Sequence, residues 1–258
     1  MQENKCMSTK KPKVEITIPV YNEEEELEKH ITLLARFCEK NLSVYDWHIT
    51  IADNASTDNT PVIAATIAKK NPKILLYRLE QKGRGRAVKR AWSNSQADFC
   101  VYMDLDLSTD LVHLPHVLKA LQNGYDIAIG SRLAKGAKVE GRTFIRELTS
   151  RTLNFLFIQL FFNTHFTDAQ CGFKAVTKKV VEDLIPEILD NGWFFDGELL
   201  IVAEKSGYKI YEEPVHWVDN PGSTVQLLAT ISGDLQVMWR LLTTKPWKSL
   251  SKKSYGRA

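Results

Sequence analysis

Apolar and polar positions change period repeatedly along the first half of the chain. Residues 14–20 (VEITIPV), 48–52 (HITIA), 74–79 and 99–103 (FCVYM) are short β-rich runs, and 127–130 is a shorter fifth. Between them lie stretches of helical spacing, over 24–41, 60–70, 85–95 and 111–122, the second opened by Pro61 at a first-turn position. Strands alternating with helices predict βαβ units, hence an α/β fold with a mainly parallel sheet flanked by helices on both faces. In such sheets ligands sit beyond the carboxyl ends of the strands. The residues at those ends are Tyr21-Asn22-Glu23, Asp53-Asn54, Lys82 to Arg86 and Asp104 to Asp106. They are polar, charged or glycine-rich, where a purely structural loop has no such need.

Composition narrows the class. A chain of 258 residues, 44% hydrophobic and 25% charged, suits one large domain and excludes a mostly disordered protein. No run approaches the roughly 20 apolar residues of a membrane span; the longest, 155–162, is interrupted by Gln159. Residues 1–13 have no apolar core, so no secretory signal is expected. The net charge of +3 is unevenly spread: residues 1–13 carry +3 and 245–258 carry +5, which leaves −5 on the body. An acidic body argues against a nucleic-acid binder, and the basic tails suit a membrane surface. Cysteines at 6, 38, 100 and 171 form no Cys-x-x-Cys pair, so reduced thiols in a cytosolic setting are expected. His113 and His116 flank Pro115, which reads as a helix start rather than a metal site.

Three segments carry candidate chemistry. Asp104-Leu105-Asp106 follows an apolar strand, and a turn there can bring both carboxylates onto one Mg2+ or Mn2+, with phosphate oxygens completing the shell. Taken alone, Asp-x-Asp is more often two solvated loop acids. Asp53 ends the second strand, where a carboxylate can accept hydrogen bonds from a nucleobase or ribose, or close a turn with Ser56 or Asp58. Gly83-Arg84-Gly85-Arg86-Ala87-Val88 is a partial dinucleotide fingerprint. Val88 replaces its third glycine and the motif follows the third strand, so an anion-binding loop at a helix start is the better reading.

Taken in order, Tyr21 to Glu24, Asp53 with Ser56 and Asp58, the Gly83 loop and Asp104-x-Asp106 resemble family 2 glycosyltransferases of GT-A fold. Gly130-Ser131-Arg132, Gly136 to Gly141, Arg146, Ser150-Arg151, residues 168–174 (DAQCGFK), 193–200 (WFFDGELL) and Glu213-Pro214-Val215 resemble the dolichyl- or polyprenyl-phosphate hexosyltransferases. The likeness covers about 14–242 and looks closer to the glucosyl branch, which uses UDP-glucose, than to the mannosyl branch, which uses GDP-mannose. It implies a flexible tail at 1–13, a catalytic domain at 14–222 and an amphipathic helix with a basic tail at 223–258.

The resemblance also implies roles. Pro19, Tyr21, Asn22 and Glu23 line a nucleotide-sugar pocket with Asp53 on the base, Arg84 beside the donor, and Asp104, Leu105, Asp106 and Arg132 around its diphosphate and sugar. Asp104 and Asp106 hold Mg2+ or Mn2+, while Arg132, Arg146, Ser150 and Arg151 take the acceptor phosphate. Asp104, Asp106, Arg132 and Arg146 make up the catalytic set of an inverting, metal-dependent transfer to polyprenyl or dolichyl phosphate. One departure is Thr224, where relatives commonly carry Lys or Arg; Lys174 or Lys138 is a candidate replacement. A GDP-mannose enzyme, an enzyme with a soluble acceptor, and a silent nucleotide-sugar binding module are the alternatives.

Many relatives carry transmembrane helices after this domain. Here residues 144–162 and 227–242 read as amphipathic helices instead, the second with Leu228, Ile231, Leu235, Met238 and Leu242 at 3–4 spacing. Core packing is the plain explanation of that stripe. Trp239, Trp247 and the lysine-rich tail favour an interface. The expectation is a peripheral protein on the cytoplasmic face of a membrane, helped by an anchoring partner or homo-oligomer.

Overall fold

The computed structural model describes residues 10–141, 159–218 and 227–250. Its elements are β1 (Lys13–Val20), α1 (Leu27–Asn41), β2 (Asp46–Asp53), α2 (Thr60–Lys70), β3 (Ile74–Arg78), α3 (Arg84–Asn94), β4 (Phe99–Met103), α4 (Leu114–Gln122) and β5 (Ile127–Ser131). There follow β6 (Lys138–Glu140), β7 (Phe173–Thr177), α5 (Lys178–Asp183), α6 (Phe195–Lys205), β8 (Ile210–Pro214), β9 (His216–Val218) and α7 (Leu227–Thr244).

The periodicity of the first 130 residues lands on these elements with two shifts. The first helix starts at Leu27 rather than 24, because the Glu24 carboxylate accepts from both Asn59 N and Asn59 Nδ2, at 2.9 and 2.8 Å, and so belongs to the loop. The fourth begins as a single 3-10 turn, Leu111–His113, before α4 takes over with Pro115 in its first turn.

Seven strands form the main sheet in the order β3-β2-β1-β4-β7-β5-β8, and β6 pairs with β9 in a separate two-stranded sheet. All neighbours in the main sheet are parallel except β7, which runs antiparallel to both β4 and β5. The order reverses between β1 and β4, so a crevice opens at their carboxyl ends. The antiparallel β7 has a further consequence. Its first residue, Phe173, pairs with Met103, the last residue of β4, so the segment leading into β7 is delivered to that same crevice.

Side chains alternate between the two faces of the sheet, each covered by its own apolar cluster. Val101 and Met103 of β4 join one cluster with α1, α2 and α4, while Cys100 and Tyr102 join the other with α3, α5, α6 and α7. Residues of α7 settle part of the amphipathic question. Met238 and Leu241 are buried and Leu242 packs partly against the second cluster, whereas Leu235 and Trp239 are 45% and 71% exposed. Trp247, expected at an interface, instead packs edge-on against Phe162 at 6.4 Å between ring centroids. The side chains of Leu228 and Ile231, and residues 142–158, lie outside the described residues.

Trp92 is fully buried under the crevice, with ring centroids 6.1 Å from Tyr102 and 6.2 Å from Phe195. Trp92→Ala is expected to cost about 3–5 kcal/mol of stability, measured by urea unfolding.

Candidate active site

The loops after β1 and β2 are stitched together by short polar side chains. Asn22 takes a left-handed conformation at φ 54° and donates its backbone N–H to Ser56 Oγ at 3.0 Å, while its Oδ1 accepts from Thr57 N at 2.9 Å. Glu23 N donates to Thr60 Oγ1 at 2.8 Å. Asn22 therefore fastens the two loops to each other while remaining exposed. Tyr21 lies under the Lys82 ammonium, 3.4 Å from the ring centroid. Pro19 pairs with Ala52 in the parallel ladder and is partly exposed at the crevice end of β1.

Asp53 is fully buried. Its Oδ1 accepts from Ser56 N at 3.0 Å, the turn-closing role read from sequence. Its Oδ2 has no hydrogen-bond partner and lies 3.5 Å from Arg78 Nε. Such an unsatisfied buried carboxylate oxygen is costly unless something else satisfies it.

The turn after β4 brings Asp104 and Asp106 together, with Glu23 facing them from the β1 loop. Burial first, and then repulsion from Asp106 among other carboxylates, pushes Glu23 above its ordinary pKa. Asp104 is raised by burial and by Asp106 and Asp196, against the opposing pull of Arg84. Arg84 forms an ion pair with Asp104 through Nη2. Gly172, just before β7, makes room for the pair: a Cβ there would overlap the Asp104 carboxylate and come 2.8 Å from Arg84 Nη2. Gly172 O also accepts from Asp104 N at 3.1 Å. Asp106 Oδ1 accepts from Ser108 N at 3.0 Å. The side chain of Leu105 is buried in the first apolar cluster, so at this site it offers only its backbone.

Two buried ion pairs lie behind this acidic centre. Lys174, the second residue of β7, is fully buried, sits 3.0 Å from Asp196 Oδ1 and donates to Cys171 O at 2.6 Å. Tyr102 donates its hydroxyl to the same Asp196 oxygen, and burial together with that carboxylate keeps the phenol protonated. Arg132 forks onto Asp168, Nε to Oδ2 at 2.7 Å and Nη2 to Oδ1 at 2.9 Å, with the Trp217 ring 4.9 Å from its guanidinium carbon. Burial alone would raise the Asp168 carboxyl, but the Arg132 guanidinium outweighs it and holds the group below the usual carboxylate range.

Several expectations need correction. The backbone donors at the start of α3 are not free for an anion: Gly85 N donates to Gly192 O at 3.1 Å and Arg86 N to Asn191 O at 3.2 Å. The glycines of that motif serve close packing, since a Cβ on Gly83 would meet Asn191 O at 2.6 Å and one on Gly85 would meet Phe195 Cβ at 2.5 Å. Lys174 is committed to Asp196 and Cys171 and cannot replace a basic side chain at Thr224, which lies outside the described residues, as do Arg146, Ser150 and Arg151. Lys138 is exposed on β6 and paired with Glu140 at 2.7 Å. Burial pushes the thiols of Cys38, Cys100 and Cys171 up to about 12, in keeping with free, reduced cysteines.

His113 and His116 do more than begin a helix. Both Nδ1 atoms lie within 2.9 Å of Glu213 Oε1, and among the described residues these three form the one cluster of metal-capable side chains. Hydrogen bonding argues against a cation there. His113 Nε2 accepts from His216 N at 3.0 Å, so in the neutral ring the proton is on Nδ1, where it donates to Glu213. The cluster is a strut that fastens β9, and with it Trp217, to the body.

Sequence reasoning left Asp168, Asp196 and Trp217 without roles. One signal was available: a lysine inside the apolar strand Phe173-Lys174-Ala175-Val176 can be buried only with a counter-ion.

Known proteins share both the sequence and the fold. The description "Glycosyl transferase family 2" matches residues 15–185. The chain is 34% identical to Glycosyltransferase AglD of Haloferax volcanii over 90% of its own length, and 36% identical to Dolichol-phosphate mannosyltransferase of Pyrococcus furiosus over 78%. It is 30% identical to Dolichyl-phosphate beta-glucosyltransferase of Dictyostelium discoideum over 81%. It spans 38%, 55% and 67% of those three proteins. Glucosyl-3-phosphoglycerate synthase from Mycobacterium tuberculosis, solved with Mn2+ and UDP-glucose, superposes with a TM-score of 0.65 at 17% identity, covering 90% of this chain and 78% of that one. An acidic crevice at the switch point of a mainly parallel sheet, and a family match across two thirds of the sequence, lead to one conclusion: this chain belongs to glycosyl transferase family 2 and has the GT-A fold.

Proposed function

We propose that the protein transfers a hexose, glucose in the favoured reading, from a nucleotide sugar such as UDP-glucose to a polyprenyl or dolichyl phosphate. The observation that carries this is the placement of Asp104 and Asp106 in the turn after β4, near enough to Glu23 of the β1 loop for Asp106 to repel it, with Arg84 paired to Asp104 and Arg132 to Asp168. Asp106 repels both Glu23 and Asp104 and helps burial to raise them, which suits a site completed by a divalent cation, and hard oxygen donors suit Mg2+ or Mn2+. Asp104 and Asp106 would hold the ion, which when bound would offset charge on the donor diphosphate. Asp53 Oδ2, buried without a hydrogen-bond partner and 3.5 Å from Arg78 Nε, would accept from an N–H donor of the base, and Arg84 would meet the diphosphate.

In the reaction, an acceptor phosphate oxygen forms a bond to the anomeric carbon from the face opposite the donor. The bond from that carbon to the diphosphate oxygen breaks, and its electron pair leaves with the nucleoside diphosphate. The attacking oxygen is already ionised near neutral pH, so no proton has to be removed by a general base. Arg132 would orient and neutralise the incoming phosphate, joined by Arg146, Ser150 and Arg151. Its fork onto Asp168 fixes its plane before substrate arrives, which is the value of a preorganised guanidinium.

The lipid acceptor calls for contact with a membrane surface, at its cytoplasmic face in this reading. Among the described residues no helix is long and apolar enough to cross a membrane. Leu235 and Trp239 on α7, and Leu160 and Phe161 ahead of β7, are exposed apolar side chains suited to a headgroup interface, and Lys245 and Lys248 follow α7. Relatives named for glucosyl and for mannosyl transfer both match, so GDP-mannose is the competing donor.

Protein given UDP-glucose, Mn2+ and polyprenyl phosphate is expected to form a glycolipid, and Asp106→Ala to slow this by at least about 100-fold. Undiminished product from that variant would refute the metal assignment, and a glycolipid formed only from GDP-mannose would replace the donor. Asp168→Asn is expected to cost about 3–5 kcal/mol at neutral pH by leaving Arg132 buried and unpaired. Because the folded Asp168 pKa is depressed, its contribution is complete above the unfolded value of about 4 and is lost as pH falls below it. Urea midpoints of wild type should therefore decline more steeply below about pH 4 than those of the variant. For the membrane, binding to anionic liposomes should weaken with added salt, with Trp239→Ala and with removal of 245–258. Unchanged co-sedimentation of all three would exclude this surface.

A further inference from the structure

Glu198 lies in α6, away from the crevice, and is fully buried. A carboxylate in that position is stable only if its lone pairs and its charge are met. Both are. Oε1 accepts from Leu189 N at 3.1 Å, Oε2 accepts from Asp190 N at 2.8 Å, and Arg240 of α7 places Nη2 2.8 Å from Oε2. Glu198 thus holds the outer side of the 188–193 loop, and Asp190 Oδ1 tightens the turn by accepting from Gly192 N at 2.8 Å.

The inner side of the same loop lies along the start of α3. Gly85 N and Arg86 N donate to Gly192 O and Asn191 O, and Lys89 Nζ donates to Ile188 O at 2.9 Å. Gly83 and Gly85 lack side chains where the segment passes closest. Arg84 is the first residue of α3, and its guanidinium lies between the rings of Tyr102 and Trp193, 5.5 and 4.7 Å from their centroids. The loop therefore fixes both the root of Arg84 and one of the two rings that sandwich its head.

We infer that Glu198 is a positioning residue for the donor side of the active site: through the 188–193 loop it sets Arg84 and Trp193, and Arg240 recruits α7 to that support. The donor role of Arg84 rests on the function proposed above; the mechanical part does not. The buried Glu198 charge cannot be removed without loosening the loop, because its carboxylate is the acceptor for two successive backbone N–H groups. Loosening it releases the Gly85 and Arg86 amides at the same time.

The test uses the full chain with Glu198→Gln and Arg240→Met. Amide hydrogen exchange over residues 83–88 and 188–193 should accelerate at least about tenfold in both variants, while β4, 99–103, stays within about twofold of wild type. In steady-state assays with UDP-glucose and polyprenyl phosphate, KM for the donor should rise about tenfold, with KM for the acceptor unchanged. A residue that merely stabilises the fold would lower the active fraction and leave both KM values alone. Unchanged exchange at 83–88, acceleration that extends equally to 99–103, or an unchanged donor KM would each overturn the assignment. Should Glu198→Gln fail to fold, Arg240→Lys against Arg240→Met decides: the lysine variant should retain protection at 83–88 and the methionine variant lose it, and equal protection in the two refutes the support. A wild-type protein that neither binds nor turns over nucleotide sugar refutes the proposed function instead, and the exchange arm then judges the mechanical role of Glu198 by itself.

Discussion

Charge that is buried must be paired, and around the crevice nearly every structural choice follows from that requirement. Asp104, Asp168, Asp196 and Glu198 are each held by a cation, Arg84, Arg132, Lys174 and Arg240 respectively. Removing one member of such a pair leaves a desolvated ion with a penalty of several kcal/mol. The pairs constrain the backbone in turn. Gly172 lacks a side chain so that Asp104 and Arg84 can meet, β7 runs antiparallel so that Lys174 enters beneath β4, and Trp193 and Trp217 cover the two guanidiniums. The site is rigid because its cations are already engaged by the protein.

Rigidity of this kind suits group transfer between two anions. In the proposed reaction a phosphate acceptor would approach an anionic donor, and guanidinium groups oriented in advance would offset part of that repulsion. That an acidic body with −5 net charge would host such chemistry is less paradoxical once the charges are placed. The crevice guanidiniums are each matched by a carboxylate, Arg84 by Asp104 and Arg132 by Asp168, and the surplus of positive charge lies in the two tails. The acidic side of the crevice, Asp104 with Asp106 and Glu23, is where a divalent cation would reverse the local sign.

Much of this was legible before any coordinates. Alternation of period 2 in the strands and 3–4 spacing in the helices placed five strands and four helices within a few residues, because those patterns report which face is buried. The Asp-x-Asp after β4 and the carboxylate ending β2 stood out only within the ordered set of motifs, because either alone reads as well as a solvated or turn-closing acid. Other features misled. The glycines at 83 and 85 read as a phosphate loop, yet they are glycines because the 191–195 segment crosses them. Trp247 read as an interface residue, yet it packs on Phe162. His113 and His116 read as a helix start, while their rings serve Glu213, about 100 positions away in sequence.

The sequence by itself determined the class of fold, the end of the sheet where chemistry would lie and the residue types that carry it, since each depends on local pattern and on the solvation of single side chains. The tertiary structure decided which charges are partners. Arg84 meets Asp104 after 20 residues, Arg132 meets Asp168 after 36, and Tyr102 meets Asp196 after 94, none at a spacing that local geometry prescribes. Those separations are set by where the reversed strand β7 and the 188–193 loop return the chain to the crevice. Burial then makes the pairing obligatory, and only the folded chain says with whom.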